Sequence, residues 1–245
     1  RKVKFRNVVK KVGCTIFETD RVPARWVPLL NKMDEVWVPT KFNYDTFSCS
    51  GVDRDKIRII PYSVDTDYYK PIADMFPIPG KRGFAFLYVF AFGWRKGFDI
   101  LLEAYCKEFT STDDVTLVLK VYGWGSEKED IKKMILDSIR DRVKLDSRDL
   151  PHFIIMDSSL NQHEMRLLYN TCDLYMSTDR ANGWGMPCME AMAMGKPAAT
   201  INWSGSTEFM TSANSLLIEP EKRLVPVDTR LSQQLPELYD DHMWP

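Results

Sequence analysis

The sequence predicts an α/β protein built on a parallel sheet, and three observations predict it. From residue 84 onward, short apolar runs of strand length alternate with helical periodicities, the order that places helices on both faces of a parallel sheet. A Pro/Gly-rich stretch over residues 62–83, with Pro71, Pro77, Pro79, Gly80 and Gly83, separates this alternation from what precedes it and reads as a linker. The longest apolar run, Phe84 to Phe92, closes at Gly93, well short of the roughly 18 residues a membrane span needs.

Each element follows from local pattern. Thr15-Ile16-Phe17 is a short apolar run ending in acids and predicts a strand. Val36-Trp37-Val38, closed by Pro39, predicts a second. Phe42 and Phe47 lie within a helical stretch from Lys41 to Ser50, and Gly51 sits where a helix stops. Ile57, Ile59 and Ile60 form a third β-rich run, ended by Pro61. A domain boundary near Pro71 divides the chain into residues 1–70 and 71–245.

Beyond it, Phe84 to Phe90 predicts a buried strand. Phe98, Leu101, Leu102, Tyr105 and Phe109 recur at helical steps. Thr116 to Val121 predicts a strand closed by Gly123, and Lys128 to Ile139 a charged helix. Phe153 to Met156 is a strand. Asn161 with Glu164 forms a capping box for the next helix. Leu174 to Ser177 is a strand, Pro187 to Met194 a helix stopped by Gly195, and Pro197 to Ile201 the last clear strand.

Bulk properties narrow the function classes. Hydrophobic residues make up 44% and charged residues 27%, the balance of an ordinary globular protein. The formal net charge of -1 provides no global field for nucleic acid or anionic lipid. Cys14, Cys49, Cys106, Cys172 and Cys188 are odd in number and lack CxxC spacing, which argues for reduced thiols and against a disulfide framework or a zinc site. His152, His163 and His242 have no metal-ligand spacing, and no metal is expected. Arg1, Lys2, Lys4, Arg6, Lys10 and Lys11 form a basic start. It reads either as a patch for an acidic surface or, more simply, as a solvated face. No signal peptide is visible, and a cytoplasmic or membrane-peripheral setting is the expectation.

In an open parallel sheet, ligands bind beyond the carboxyl ends of the strands, so the loops after strands are the places to search. Gly93-Trp94-Arg95-Lys96-Gly97 precedes a helix. Two cations at a helix N-terminus suit a diphosphate, although surface Arg-Lys pairs are also common there. Asn182-Gly183-Trp184-Gly185-Met186-Pro187-Cys188-Met189-Glu190 runs from a strand into another helix. Its glycines let the backbone approach a ligand, and Pro187 suits a first helical turn. The Glu190 carboxylate is able to accept two hydrogen bonds from the vicinal hydroxyls of a ribose, or simply to cap or face solvent. A dinucleotide-binding oxidoreductase lacks support, because no G-x-G-x-x-G follows a strand near the start of the second domain.

Taken together, these segments resemble the retaining GT-B glycosyltransferases of the group 1 type. Leu168 to Pro220 is similar to the family's E-G-F-G-x-P-x-x-E-A-M-A-x-G-x-P segment followed by G-G-x-x-E. Phe86 to Phe109 resembles its strand-R-K-G-helix segment, and Asp34 to Pro71 the close of its first domain. The resemblance implies a GT-B fold. Residues 71–245 would be a Rossmann-like donor domain, preceded by the end of a first Rossmann-like domain. It also implies transfer of a sugar from a nucleotide-diphosphate donor, a UDP- or GDP-sugar, without an obligatory metal. The acceptor, whether glycan, lipid or protein, lies outside what the motifs encode.

Residue by residue, the resemblance assigns Lys96 to the donor phosphates, with Arg95 beside it. It assigns Glu190 to the nucleotide ribose as the second glutamate of E-x7-E. Gly183, Trp184 and Gly185 would form the backbone loop next to sugar and phosphate, and backbone N–H groups around Gly205, ahead of Glu208, would approach the diphosphate. The first glutamate of E-x7-E is Asn182 here. An amide can hold a sugar hydroxyl but carries no charge to stabilise an oxocarbenium-like transition state. Asn182, Lys96 and Arg95 are therefore the candidate catalytic set, and a nucleotide-sugar-binding module without catalysis is the alternative. The first domain is expected to begin before residue 1 and the last helix to be cut near Trp244, so little turnover is expected of this stretch alone.

Overall fold

The computed structural model describes residues 9–123, 131–143, 149–221 and 223–245. Two parallel sheets carry the fold. Strands β1 (Val12–Cys14), β2 (Glu35–Val38) and β3 (Ile57–Ile59) form the smaller sheet, in that order. Two helices accompany it, α1 (Val27–Leu30) and α2 (Lys41–Cys49). Thr40 caps α2 by accepting from the Asn43 N–H at 2.9 Å, and Gly51, at φ +102°, ends the turn that follows.

The larger sheet holds six parallel strands: β4 (Phe84–Ala91), β5 (Val115–Tyr122), β6 (Phe153–Met156), β7 (Leu174–Ser177), β8 (Ala198–Ile201) and β9 (Leu216–Ile218). Their spatial order is β6-β5-β4-β7-β8-β9, the doubly wound order in which the direction of winding reverses between β4 and β7. Strands β4 and β5, both interior to the sheet, are buried along most of their length, which explains why they read as continuous apolar runs. Helices α3 (Phe98–Glu108) and α4 (Ile131–Val143) pack together on one face, where Phe98 stacks 5.9 Å from Phe90. Helices α5 (Gln162–Thr171) and α6 (Met186–Ala193) cover the other, where Tyr169 lies 6.1 Å from Tyr175. Alternating strand residues thus feed two half-cores. The capping box at Asn161 and Glu164 is formed in both directions, at 3.0 and 2.7 Å.

Two expectations are revised. The strand expected at Thr15–Phe17 lies three residues earlier, at β1, because Phe17 leaves the sheet to pack edge-on against Trp26 and His242 at 5.3 and 5.4 Å. The chain also continues in short elements past Ile201. Helices α7 (Thr229–Gln234) and α8 (Pro236–Tyr239) and the antiparallel pair β10 (Val225–Pro226) and β11 (Met243–Trp244) follow β9. Val227, Tyr239 and Trp244 join Phe17, Val36 and Val38 in one buried cluster, so this last stretch packs on the smaller sheet. The start of the expected charged helix, 128–130, and residues 1–8 of the basic stretch lie outside the described residues. Within that stretch, Lys10 pairs with Glu35 at 2.7 Å on the surface. Cys106, Cys172 and Cys188 are buried free thiols, while Cys14 and Cys49 are free and exposed.

Candidate active site

The point where winding reverses is where a doubly wound sheet opens a crevice. Here the loop after β4 and the loop after β7 enclose a cavity of about 180 Å³, lined among others by Lys96, Arg95, Asp179, Asn182, Gly183 and Gly185. Glycine makes this approach possible. Gly97 stands at φ +58°, and a Cβ there would lie 2.0 Å from the Thr178 carbonyl oxygen. The two loops are further joined by the Arg180 N–H, which donates to the Arg95 carbonyl at 2.9 Å. The Arg180 guanidinium in turn grips buried Asp99 with two bonds, at 2.9 and 2.8 Å.

Adjacent in sequence, Lys96 and Arg95 have different surroundings. Lys96 Nζ donates to Asp179 Oδ2 at 2.8 Å. Tyr88 Oη donates to Asp179 Oδ1 at 2.5 Å and also lies against the Lys96 carbonyl. Burial and the Asp179 carboxylate hold the Tyr88 phenol well above its ordinary pKa, so it remains a donor. Arg95 reaches across to the smaller sheet's side of the crevice. Its Nε meets Glu18 Oε1 at 2.9 Å, and its Nη1 donates to the Ala181 carbonyl at 2.7 Å. Burial opposes the Arg95 charge, but Glu18 and Asp179 outweigh it and leave its pKa above the ordinary arginine value.

Asn182 is 5% exposed, and its Oδ1 has no hydrogen-bond partner among the described residues. Such an atom costs free energy unless something else satisfies it. Its backbone is clamped instead. The Asn182 carbonyl accepts from Gly205 N–H at 2.9 Å and from the Ser204 hydroxyl. Ser204 adopts φ +71°, a conformation that favours glycine. The Gly205 N–H is therefore spent on Asn182 within the protein, and a Cβ on Gly205 would sit 1.9 Å from the Gly183 carbonyl oxygen. Gly183 is equally tight, since a Cβ there would meet Ile16 at 2.3 Å. The Trp184 ring turns from the cavity onto Tyr62 and Phe209, at 5.5 and 5.2 Å, and its Nε1 has no hydrogen-bond partner among the described residues.

Glu190 lies on α6 beyond the cavity wall, where its Oε2 accepts from Tyr169 Oη at 2.7 Å. Burial raises its carboxyl above the ordinary value of 4.5, and hydrogen bonds from Tyr169 and Tyr69 offset part of that rise. Cys188 lines the cavity, but burial pushes its thiol up to about 12, which leaves it without nucleophilic character. His152 bonds the Gly80 carbonyl and His242 pairs with Thr19, both away from the cavity. Among the described residues, no three His, Cys, Asp or Glu side chains converge as a metal ion would require.

The structure thus brings Lys96, Arg95, Asn182, Gly183 and Gly185 to one cavity, and sets Glu190 and the Trp184 ring outside it. Sequence reading missed Asp179, Tyr88 and Glu18. Asp179 had a signal, a carboxylate directly after an apolar strand. Tyr88 looked like ordinary core, and Glu18 is distant in sequence.

Residues 76–225 match the family model described as glycosyl transferases group 1. The chain belongs to that family. This group 1 chain is 27% identical, over 152 residues, to mannosylfructose-phosphate synthase of Agrobacterium fabrum, a match covering 60% of the chain and 33% of that protein. Its fold is similar to HepE of Anabaena, solved with UDP and glucose, with a TM-score of 0.65 and 20% identity over 85% of the chain and 57% of that structure. A glycosyltransferase from Rickettsia africae gives a TM-score of 0.62 and 19% identity over 92% and 59%. The chain therefore spans about a third of this curated relative and under three fifths of these structures. The likeness establishes the GT-B fold for the group 1 chain.

Proposed function

We propose that the protein transfers a glycosyl group from a nucleotide-diphosphate sugar to an acceptor hydroxyl with retention at the anomeric carbon. The observation that carries this reading is the cavity where sheet winding reverses, lined by Lys96, Arg95 and Asn182, whose buried Oδ1 has no hydrogen-bond partner among the described residues. In this reading Lys96 neutralises the leaving diphosphate, with Arg95 beside it. Asn182 Oδ1 accepts from a donor-sugar hydroxyl, and the Gly183-Trp184-Gly185 backbone borders sugar and phosphate. Glu190, beyond the wall on α6, accepts from the ribose hydroxyls. As the bond from the anomeric carbon to the diphosphate breaks, its electron pair passes to the departing phosphate oxygen. The acceptor oxygen forms the new bond and its proton goes to that phosphate. HepE was solved with UDP-glucose, which supports a nucleotide-diphosphate sugar as the donor class here, with UDP- and GDP-sugars the candidates. No metal is invoked.

The test is calorimetric titration of the protein with UDP, GDP and ADP beside Glu190→Ala. One nucleotide is expected to bind, with affinity at least about tenfold weaker in the variant, the loss of a charged hydrogen-bonding pair. A folded protein that binds none of the three overturns the proposal. Asn182 in place of a carboxylate favours a second reading, a binding module without catalysis. Tight binding of UDP-glucose or GDP-mannose without release of the nucleotide would select it.

A further inference from the structure

Among the residues lining the cavity there is one carboxylate, and it is not at position 182. It belongs to Asp179, three residues earlier on the loop after β7. We infer that Asp179 supplies the negative charge facing the donor sugar that Asn182 lacks. This rests on the glycosyl-transfer reading above.

Two observations and one argument from charge carry it. Asp179 is 7% exposed and shares the cavity wall with Asn182. Its two oxygens are held separately, Oδ1 by the buried Tyr88 hydroxyl and Oδ2 by Lys96 Nζ at 2.8 Å. A buried carboxylate beside the lysine repels a diphosphate, so its charge works against binding that ligand. A carboxylate becomes useful where positive charge develops on a sugar ring as its leaving group departs. Lys96 has three N–H donors, so its ammonium turns toward the incoming diphosphate. Tyr88 keeps its hold on Oδ1, and Oδ2 is left facing the cavity. Asp179 forms no bond and takes no proton. It stabilises the charge on the anomeric carbon and ring oxygen while the bonding pair moves to the diphosphate. The carboxylate has in effect moved along the loop, with the partnerless Asn182 amide left to hold a hydroxyl.

The test is a double-mutant cycle on turnover of UDP-glucose or GDP-mannose, whichever matches the nucleotide that binds, read as released UDP or GDP. Asp179→Asn is expected to lower kcat by about 100-fold or more, while the Kd for the nucleoside diphosphate changes less than about threefold. Adding Asn182→Glu to Asp179→Asn is expected to recover at least about tenfold of the loss. If Asp179 only positions Lys96, affinity and kcat fall together and Asn182→Glu restores nothing, and the inference is overturned. Should Asp179→Asn fail to fold, Asp179→Glu and Asp179→Ser are compared instead. A kcat at least about tenfold higher for the charged variant, at a Kd within about threefold, supports the inference, and a smaller difference overturns it. A wild-type protein that binds no nucleotide overturns the transfer reading itself. One that turns over donor while Asp179→Asn is unimpaired overturns this inference alone.

Discussion

Neighbouring side chains at this site take their character from their partners. Lys96 faces the cavity with Asp179, whereas Arg95, one residue earlier, is tied to Glu18 and the Ala181 carbonyl. Glu190 is shaped in the same way. Burial lifts its carboxyl above 4.5, against the pull of Tyr169 and Tyr69. In the role proposed for Glu190, ribose hydroxyls would donate to the ionised carboxylate, so acid would weaken that interaction, and the raised pKa would move the weakening to higher pH than an ordinary glutamate shows. The ratio of wild-type to Glu190→Gln nucleotide affinity is therefore expected to fall as pH drops through this raised value, while the ligand's own phosphate titration cancels. Calorimetry from about pH 8 down to about pH 4, a window that passes below the ordinary glutamate value of 4.5, with the fold followed in parallel by circular dichroism, checks this. A constant ratio would mean that the carboxylate does not meet the ligand.

The elements form the site through close backbone approach more than through side chains. The loops after β7 and β8 meet where Gly205 N–H bonds the Asn182 carbonyl and where a Cβ on Gly205 would fall 1.9 Å from the Gly183 oxygen. Those atoms are backbone and have little room to give. Gly205→Ala is expected to cost about 1–3 kcal/mol, as overpacking does, and to weaken nucleotide binding by pushing Asn182 and Gly183 out of register. Urea unfolding together with titration of the selected nucleotide measures both. A variant as stable and as tight-binding as wild type would show that the two loops move freely.

At the scale of the molecule, two cores meet, and Glu18 centres one of the polar bridges between them. Arg95, from the larger sheet's first loop, meets Glu18 at 2.9 Å, and Tyr239, from the returning C-terminal stretch, donates to the same Glu18 oxygen at 3.0 Å. Asp20 adds a bond to the Met243 N–H at 2.7 Å. Glu18→Gln removes the charge that both Arg95 and Tyr239 use. The expected cost is about 1.5–3 kcal/mol, the range for hydrogen bonds to charged groups. Faster amide hydrogen exchange is expected over residues 236–244, where α8 and β11 lean on the bridge. Unchanged exchange there would show that the attachment rests on the packing of Phe17, Tyr239 and Trp244 and on the Asp20–Met243 and Thr19–His242 bonds, without Glu18.

Much of the architecture was written in local pattern. Apolar runs marked β4 and β5 because both faces of a central parallel strand are buried, and the Asn161–Glu164 box marked the start of α5 because capping is a local hydrogen-bond arrangement. The two strand-following loops stood out by their glycines and cations, so Lys96, Asn182, Gly183 and Gly185 were legible as candidates before any coordinates. What depended on contacts between distant segments was not. Elements β9 to β11, α7 and α8 are short and held by partners far along the chain, as when Trp244 packs with Phe17, and local propensity says little about such pieces. The partners of Lys96 and Arg95, and the gathering of Tyr88 and Asp179 at the lysine, depend on β4 and β7 being neighbours in space while far apart in sequence, with Phe86 paired to Leu174 and Leu87 to Tyr175. Periodicity and motif determine which residues stand at strand ends. Only tertiary structure decides which strand ends meet, because that follows from the packing of whole elements.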